Sequence, residues 1–515
     1  MQTTPIRSSP RMTRPAFAKT PIIPFRNFGL AGNPSISSYN VLTPTHAGQV
    51  RTARKTQLSA KDVRTVPTIF TDSPILKTVG GQTLVFTAGL DGIRKIDCSA
   101  DTFEVVDFLA YPMRLNPEPG RDASAGKIFS SPQFVRSGKL GGNVHHLLDK
   151  DGFHYAAFSG LKVIKTTDDN NLENPLRVIR IKDLGEELPS GFRNFPIIEM
   201  GLTAEGHIAI LSYGVLLLCD SDLRLKSYIT FPGEIVCNRL CIDEQGIYVA
   251  TSRRILKVVW NGSELSYREC DGGWETEFDL LSSRSSARGG ALQTYCHGSA
   301  PVLMGFGDDA DKLILISRRD ELGTKLFAFW RDEIPRRYLS DGRRFSRIAD
   351  QFRIDFAKSA VEPLSAVHGY GMVLINSARH TPSTLQERHI LFGSARSAVP
   401  NAMKFSWNVK SKSFERDWLN SQIDSTNHTF PVISEKDGLV YVGHKANSGY
   451  QLVAMDWNCG TIRERWILPD GGRQWNTYGG ATMLLDDGDF LIGGYLNLNR
   501  IRIGSRRERG SRPLD

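Results

Sequence analysis

The sequence is short of the features that mark several large classes of protein. Its seven cysteines among 515 residues are scattered and odd in number, and none forms a Cys-x-x-Cys pair. A disulfide framework and a thiolate zinc site are therefore not expected. Cys237 and Cys241 lie in an apolar run, where cysteine packs as a small hydrophobic residue. No apolar run is long enough to span a membrane, and no secretory leader opens the chain.

Acidic residues are absent from the first 61 positions, which hold nine lysines and arginines. Taking these nine from the 64 basic residues of the chain leaves 55, which equals the number of acidic residues. A second basic run lies at the C-terminus, where Arg506, Arg507, Arg509 and Arg512 follow one another closely. The excess of positive charge therefore belongs to the two ends, and no nucleic-acid-binding face is expected on the folded body.

This charge distribution predicts three regions. Residues 1–61 form a basic, acid-free tail, which is disordered or acts as a transit segment. Residues 62–503 form the folded body, and residues 504–515 form a basic C-terminal tail. We expect an intracellular protein, and an Arg- and Ser-rich, acid-poor leader is typical of organelle targeting. Because the first tail has little apolar surface to offset the entropy of ordering, we expect it to lie outside the core.

The motifs of several enzyme classes are also missing. The sequence has no phosphate-binding G-x-x-x-x-G-K-[ST] loop, no G-x-G-x-x-G between a strand and a helix, and no H-E-x-x-H zinc motif. No G-x-S-x-G nucleophile elbow stands out either. Nucleotide-dependent and zinc-peptidase chemistry is therefore not expected.

The most informative feature that is present is a repeat. An apolar stretch, a turn rich in Gly and Asp, and a short β-branched run recur eight times. The runs that follow the turns are 84–88, 153–158, 207–212, 247–252, 313–317, 372–376, 439–444 and 490–495. Their spacing is typical of four-stranded blades joined by loops of variable length. The sequence therefore predicts an all-β fold, a single β-propeller of about eight four-stranded blades, with seven as the alternative.

Two local patterns refine this prediction. The eighth unit shows only about three strands, so residues 65–71 are predicted to supply the missing strand and close the ring. Phe345, Ile348, Ala349 and Phe352 follow one another at helical spacing and predict one short helix before the sixth unit.

The seventh unit carries the clearest family pattern. It reads FPVISEKDGLVYVG over residues 430–443, and Ala454-x-Asp456, Gly460 and Trp466 follow. This resembles the blade repeat of the pyrroloquinoline-quinone-like propeller superfamily, in which a Pro opens the inner strand and an Asp-Gly turn leads into the next strand. The resemblance implies eight blades. The adjacent cysteine pair of the quinone-using dehydrogenases is absent, so pyrroloquinoline quinone is not expected as a cofactor.

The fourth unit is similar to a second group. Residues 238–251 resemble blades of the gluconolactonase- and strictosidine-synthase-like propellers. The lactonases of that group bind a divalent metal on the ring axis through Glu, Asn and Asp side chains. This resemblance implies an axial metal site.

Register along the repeat locates candidate axial residues. Counting back seven or eight residues from each turn reaches the start of each inner strand, at Pro74, His145, Glu199, Asn238, Pro301, Glu362, Pro431 and Ala481. Of these, Glu199, Asn238, His145 and Glu362 are candidate ligands for a divalent metal such as Ca²⁺. His428, at the mouth of the seventh blade, is the candidate general base. The alternative is that these side chains are merely solvated in a wet channel.

Two functions remain open at this point. The first is a binding or assembly module whose loops hold a protein or a small ligand. The second is a metal-assisted hydrolase of the ester or lactone class with its site in the axial channel. There the metal would polarise a carbonyl and lower the pKa of bound water.

Overall fold

The computed structural model describes most of the chain between residues 56 and 503. The described residues are 50, 56–69, 71, 74–99, 102–112, 145–193, 195–236, 239–278, 299–320, 323–336, 347–354, 364–376, 400–424, 430–446, 449–470, 473–475, 482–494 and 496–503, and the backbone of two strands at 36–38 and 45–46. Among them, no helix is long and apolar enough to cross a membrane. The helices described in detail are single 3₁₀ turns at Ala60–Asp62, Leu184–Glu187, Ser190–Phe192, Glu269–Asp271 and Arg473–Trp475.

The strands group into eight sheets, which are the eight blades of a β-propeller. The strands of the N-terminal segment and of blades 1 to 4 are β1 (Ile36–Ser38), β2 (Thr45–His46), β3 (Val63–Pro67), β4 (Ile75–Val79), β5 (Gln82–Ala88), β6 (Gly92–Asp97), β7 (Glu104–Ala110), β8 (His146–Leu148), β9 (His154–Ala157), β10 (Lys162–Thr167), β11 (Arg177–Asp183), β12 (Ile197–Leu202), β13 (Ile208–Ser212), β14 (Val215–Cys219), β15 (Leu225–Thr230), β16 (Cys241–Asp243), β17 (Gly246–Ala250), β18 (Arg254–Trp260), β19 (Leu265–Ser266) and β20 (Trp274–Glu277). The strands of blades 5 to 8 are β21 (Val302–Met304), β22 (Leu313–Asp320), β23 (Gly323–Trp330), β24 (Ile348–Ile354), β25 (Leu364–His368), β26 (Gly371–Ile375), β27 (Ala402–Asn408), β28 (Ser413–Asn420), β29 (Val432–Ser434), β30 (Leu439–Ala446), β31 (Gly449–Asp456), β32 (Ile462–Ile467), β33 (Thr482–Leu484), β34 (Phe490–Gly493) and β35 (Asn497–Ile501).

Each blade is an antiparallel meander that runs outward from the axis. Blade 1 is ordered β4-β5-β6-β7, blades 2 and 3 continue with β8 to β15, and blade 4 contains β16 to β20, with both β19 and β20 paired to β18. Blades 5, 6 and 7 follow with β21 to β32, and blade 8 contains β33, β34, β35 and β3. The inner strands of blades 2, 3 and 4 contact one another in turn, and so do those of blades 5, 6, 7 and 8. The predicted eight-bladed, all-β fold is therefore confirmed.

The repeat read from the sequence corresponds to one fixed part of each blade. The eight β-branched runs all fall on the second strand of a blade, and the inner strands begin no more than three residues from the positions found by counting back. The turns between first and second strands include Gly152 and Gly488, with φ of 85° and 90°. These angles lie in the left-handed region, which glycine enters at little cost.

Blade 8 is completed by a strand from the other end of the sequence. β3 pairs antiparallel with β35, from Val63 opposite Ile501 to Pro67 opposite Asn497. This confirms that the segment before the first unit closes the ring, although the strand spans residues 63–67 rather than 65–71. Closure leaves β35 without an open edge, which would otherwise template association with other chains.

The predicted helix around residues 345–352 is wrong. Residues 348–354 form β24, the outer strand of blade 5, which pairs with β23. Helical spacing of Ile348, Ala349 and Phe352 is a local signal, and the open edge of a three-stranded blade outweighs it. In this strand Ala349 and Ile354 face the core and Gln351 is exposed.

The core lies between the blades, where aromatic side chains of neighbouring sheets meet. The ring of Tyr441 in blade 7 lies 5.0 Å from that of Phe490 in blade 8, and Trp330 in blade 5 lies 5.9 Å from Trp407 in blade 6. Both pairs meet edge to face, the arrangement that the charge distribution of aromatic rings favours. Each blade is therefore stabilised by its two neighbours.

Parts of the predicted N-terminal tail have partners in the ring. β1 pairs with β4, and β2 pairs with β29, which are the inner strands of blades 1 and 7. Leu58 is buried, and its backbone N–H donates to the carbonyl oxygen of Ile467 at 2.9 Å. The tail boundary at residue 61, like the C-terminal tail at 504–515, stays a prediction.

Arg500 joins blade 8 to blade 1 at the point where the ring closes. Its guanidinium is buried and donates to Asp489 Oδ2 at 2.8 Å and to Asp487 Oδ2 at 2.7 Å within blade 8. It also donates to the carbonyl oxygens of Cys98 at 2.9 Å and Thr102 at 3.2 Å in blade 1. One planar, permanently charged group thus fixes both sides of the junction.

Replacing Arg500 with Met is expected to lower the free energy of unfolding by about 3–5 kcal/mol, because the buried carboxylate of Asp489 loses the nearer of its two arginine partners. Denaturant unfolding followed by tryptophan fluorescence measures this loss. The matched control is Arg463→Met, which removes an ion pair to Asp456 from a half-exposed arginine on β32. That variant should lose no more than about 1 kcal/mol. Equal losses in the two variants would contradict the role assigned to Arg500.

Candidate axial site

The structure describes two of the five predicted site residues and brings them together. His145 precedes β8 and Glu199 lies on β12, so they belong to neighbouring blades. His145 Nδ1 lies 3.6 Å from Glu199 Oε1, and the two side chains are 9 % and 16 % exposed. Asn238, Glu362 and His428 lie outside the described residues. The register argument therefore located a real neighbouring pair at the axis, whereas their predicted role as metal ligands is untested.

Arg239 is the residue that sequence reasoning missed. It precedes β16 in blade 4, and its Nη1 lies 3.5 Å from Glu199 Oε2. The available signal was its position directly after Asn238, the residue that the register count selected in this blade. A search for metal ligands passes over arginine, because guanidinium is a cation and has no acceptor atom.

Phe430 brings a fourth blade into the group. Arg239 Cζ lies 5.7 Å from the centroid of the Phe430 ring, which precedes β29 in blade 7. A guanidinium over an aromatic face is held by the ring quadrupole. Blades 4 and 7 are not neighbours, so this contact reaches across the axial channel. We refer to His145, Glu199, Arg239 and Phe430 as the axial cluster.

The charges of the axial cluster suit an anionic or dipolar ligand better than a metal ion alone. Glu199 lies between an imidazole and a permanent cation, and the charge of Arg239 opposes a second cation at the same carboxylate. Among the described residues, no group of three His, Cys, Asp or Glu side chains could hold a metal ion. Glu199 and His145 are suitable ligand types, so a metal site there would need further ligands from Asn238 or Glu362.

A second cluster of charged side chains, Lys77, Lys95 and Asp168, is buried between blades 1 and 2. The carboxylate of Asp168 is 1 % exposed and lies 2.7 Å from Lys77 Nζ and 3.0 Å from Lys95 Nζ. Burial alone would raise the pKa of the Asp168 carboxyl, but the two ammonium groups outweigh it and hold this pKa below its usual value. Lys95 also donates to three carbonyl oxygens of blade 2, including that of Asn171 at 2.9 Å. This group joins two blades.

His154 lies near Lys77 and is shielded from solvent. It is buried, its ring lies 5.7 Å from that of Phe86, and its Nε2 lies 2.8 Å from Nδ1 of His146. Burial, together with the nearby His146 and Lys77, lowers the pKa of His154 well below its ordinary value. His154 is therefore neutral at physiological pH and contributes to packing.

Comparison with known proteins gives no family. No protein family model matches the sequence. An uncharacterized protein of Archaeoglobus fulgidus is 26 % identical over 294 residues, which are 53 % of this chain and 54 % of that protein. The chain thus spans about half the length of the curated relative that it matches.

Three solved structures show a distant likeness to this chain. A candidate 6-phosphogluconolactonase from Bacteroides fragilis has a TM-score of 0.40 and 12 % identity, covering 79 % of this chain and 95 % of that one. Sqt1 of Saccharomyces cerevisiae has a TM-score of 0.38 and 11 % identity, with coverages of 68 % and 82 %. The dihydro-heme d1 dehydrogenase NirN has a TM-score of 0.42 and 11 % identity, with coverages of 89 % and 73 %. At such scores these likenesses carry no argument about function, and membership of the pyrroloquinoline-quinone-like superfamily stays a prediction.

The depressed pKa of His154 predicts how stability changes with pH. Below about pH 6.5, the ordinary histidine pKa, this residue is protonated in the unfolded chain but stays neutral in the folded chain. The contribution of His154 to the free energy of unfolding is therefore complete above this pH. It is lost as the pH falls toward the lower pKa that His154 has in the folded state. In thermal melts, His154→Gln should flatten the fall in Tm between about pH 6.5 and 5. A parent slope in His154→Gln would disprove the assignment.

Proposed function

We propose that this propeller is a binding module that holds an anionic ligand group at the axial cluster. The observation that carries the proposal is the position of Arg239, which lies beside Glu199 and over Phe430 on the far side of the channel. A guanidinium held over a ring is oriented before the ligand arrives, so less side-chain entropy is lost on binding. Its planar fork matches a carboxylate or phosphate.

Access and rigidity support the same proposal. The side chain of Arg239 is 20 % exposed, which allows a ligand to reach it. The cluster is built on residues that precede or belong to the inner strands of blades 2, 3, 4 and 7. A closed ring holds these strands at fixed separations, and groups on rigid elements are positioned better than groups on free loops.

A carboxylate probe tests the proposal directly. Glutarate should raise the Tm of the parent, whereas its uncharged dimethyl ester should not. At a glutarate concentration a hundredfold above Kd, the free energy of unfolding should rise by about 2.7 kcal/mol. Arg239→Met should abolish the response, and the matched control Arg224→Met, at an exposed arginine of blade 3, should keep it. If the response is the same in both variants, or absent from the parent, the axial cluster is not an anion site.

A metal-assisted hydrolase is the second candidate, and the His145–Glu199 pair is the observation that favours it. A carboxylate beside an imidazole orients the ring, and such a pair works as a general base or as part of a metal shell. Asn238 and Glu362 would complete the shell, and His428 would be the base that acts on an ester or lactone. A bound Ca²⁺ or similar ion would supply Lewis-acid activation of the carbonyl.

Metal analysis separates the two candidates. The hydrolase requires that purified protein contains a divalent ion, that chelator lowers its Tm, and that it hydrolyses phenyl acetate or dihydrocoumarin. Glu199→Gln keeps the shape of the side chain and removes its charge, so metal affinity should fall at least tenfold. Glu205→Gln, at an exposed turn residue of the same blade, is the control. Unchanged metal binding and Tm in Glu199→Gln would exclude the axial metal.

A further inference from the structure

The N-terminal strands β1 and β2 occupy an unusual place in the ring. In each blade the inner strand pairs on one side with the second strand of its own sheet, and its other edge faces the axis. In blades 1 and 7 this axial edge carries an added strand. β1 pairs antiparallel with β4, with Ser37 opposite Leu76, and β2 pairs parallel with β29, with Thr45 opposite Ile433. Both strands therefore lie on the channel side of the ring.

The directions of the two pairings show how the segment runs. All inner strands follow the same direction along the axis, because each blade repeats the same meander. β1 runs against that direction and β2 runs with it, so the two strands run in opposite directions along the channel. The backbone N–H of Val50 then donates to Asp437 Oδ2 at 3.0 Å, at the turn that follows β29. Leu58 pairs with Ile467 at the end of the outer strand of the same blade.

The returning strand lies close to the axial cluster. Phe430 comes three residues before Ile433, the partner of Thr45, on one continuous piece of chain. At about 3.3 Å per residue this separation is roughly 10 Å. A ligand that pairs with the edge of β29 is thus within reach of Phe430 and of the Arg239 guanidinium above it.

The pairings are short, which makes the segment displaceable. β1 has three residues and β2 has two, so each adds only a few backbone hydrogen bonds. A tethered segment gains from a high effective concentration, yet a partner strand with further contacts can replace it. Addition of an extended peptide to a free sheet edge is a common mode of recognition.

The N-terminal segment carries no negatively charged side chain. Residues 1–61 contain no Asp or Glu, so no side chain of this segment offers a carboxylate to Arg239. An extended peptide that carries a carboxylate can pair with the same edge and also contact the guanidinium. This difference gives a partner peptide an interaction that the internal segment lacks.

We propose that β1 and β2 are an internal occupant of the axial channel, which an extended, carboxylate-bearing peptide of a partner protein displaces from β4 and β29. The proposal rests on the proposed function for the carboxylate contact at Arg239. The placement of β1 and β2 in the channel does not depend on the proposed function. The placement and the carboxylate contact are therefore tested separately.

Disulfide trapping tests the occupant alone. Opposite residues of antiparallel strands have Cα atoms about 4.5–5.5 Å apart, inside the range that a disulfide spans. Ser37→Cys combined with Leu76→Cys should therefore cross-link on mild oxidation, as read by mass spectrometry of unreduced peptides. Ser37→Cys with Thr230→Cys, on the outer strand of blade 3, should not. Amide hydrogen exchange of the unmodified protein is the second measurement and should show protection in β1 and β2. A lack of both the cross-link and the protection would overturn the proposal.

Displacement is tested with a labelled synthetic peptide that copies residues 33–48 with Leu42 replaced by Glu, because Leu42 comes three residues before Thr45 just as Phe430 comes three residues before Ile433. It should bind the double variant Ile36→Pro/Ser37→Pro at least tenfold more tightly than the parent, because proline removes the competing backbone donors of β1. Binding should be lost in the cross-linked protein and return on reduction. Equal binding to the parent, the proline variant and the cross-linked protein would overturn the displacement.

The carboxylate contact has its own readout. In the proline variant, the Glu peptide should bind more tightly than the same peptide with Gln at this position, and Arg239→Met should remove that difference. If the Gln peptide binds as well as the Glu peptide while the cross-link still forms, the proposed anion site fails and the internal occupant stands.

Discussion

The pairing of β3 with β35 is the constraint on which the rest of the structure depends. A propeller blade buries its two faces only against its neighbours, so a ring that fails to close leaves two faces and an edge exposed. Here the closing strand precedes the first blade in sequence and completes the last one. Arg500 reinforces this junction by binding carboxylates of blade 8 and carbonyl oxygens of blade 1. Closure fixes the inner strands, and the inner strands fix the axial residues.

Buried lysines join neighbouring blades at other junctions, as Arg500 joins blades 8 and 1. Lys95 of blade 1 reaches Asp168 and backbone carbonyls of blade 2, and Lys165 of blade 2 donates to the carbonyl oxygen of Ser221 in blade 3. Each lysine lies on the third strand of its blade, as Arg500 does. Buried cations of this kind are costly to desolvate and stabilise only when their partners are in place. They therefore favour one relative placement of neighbouring blades, and a rigid ring is what a preorganised axial site requires.

The axial site combines residues whose roles differ from those that a metal site would assign to them. His145 and Glu199 meet as expected, but Arg239 and Phe430 change the chemistry of the pair. A carboxylate that already faces a guanidinium is a weaker ligand for a cation and a better orienting group for an arginine. The same channel also holds β1 and β2, so access to the cluster and occupation of the inner edges are physically connected.

The sequence by itself predicted about eight blades, the second strand of each blade and, to within three residues, the start of each inner strand, because period-two runs and Asp-Gly turns are local signals. It also located the pair of His145 and Glu199, since register along a repeat transfers from blade to blade. Only the tertiary structure decided that residues 348–354 form a strand, because the open edge of blade 5 overrides local helical spacing. Only the tertiary structure placed Arg239 over Phe430 and set β1 and β2 against the inner strands. Those contacts join blades and segments far apart in sequence, and no local pattern encodes them.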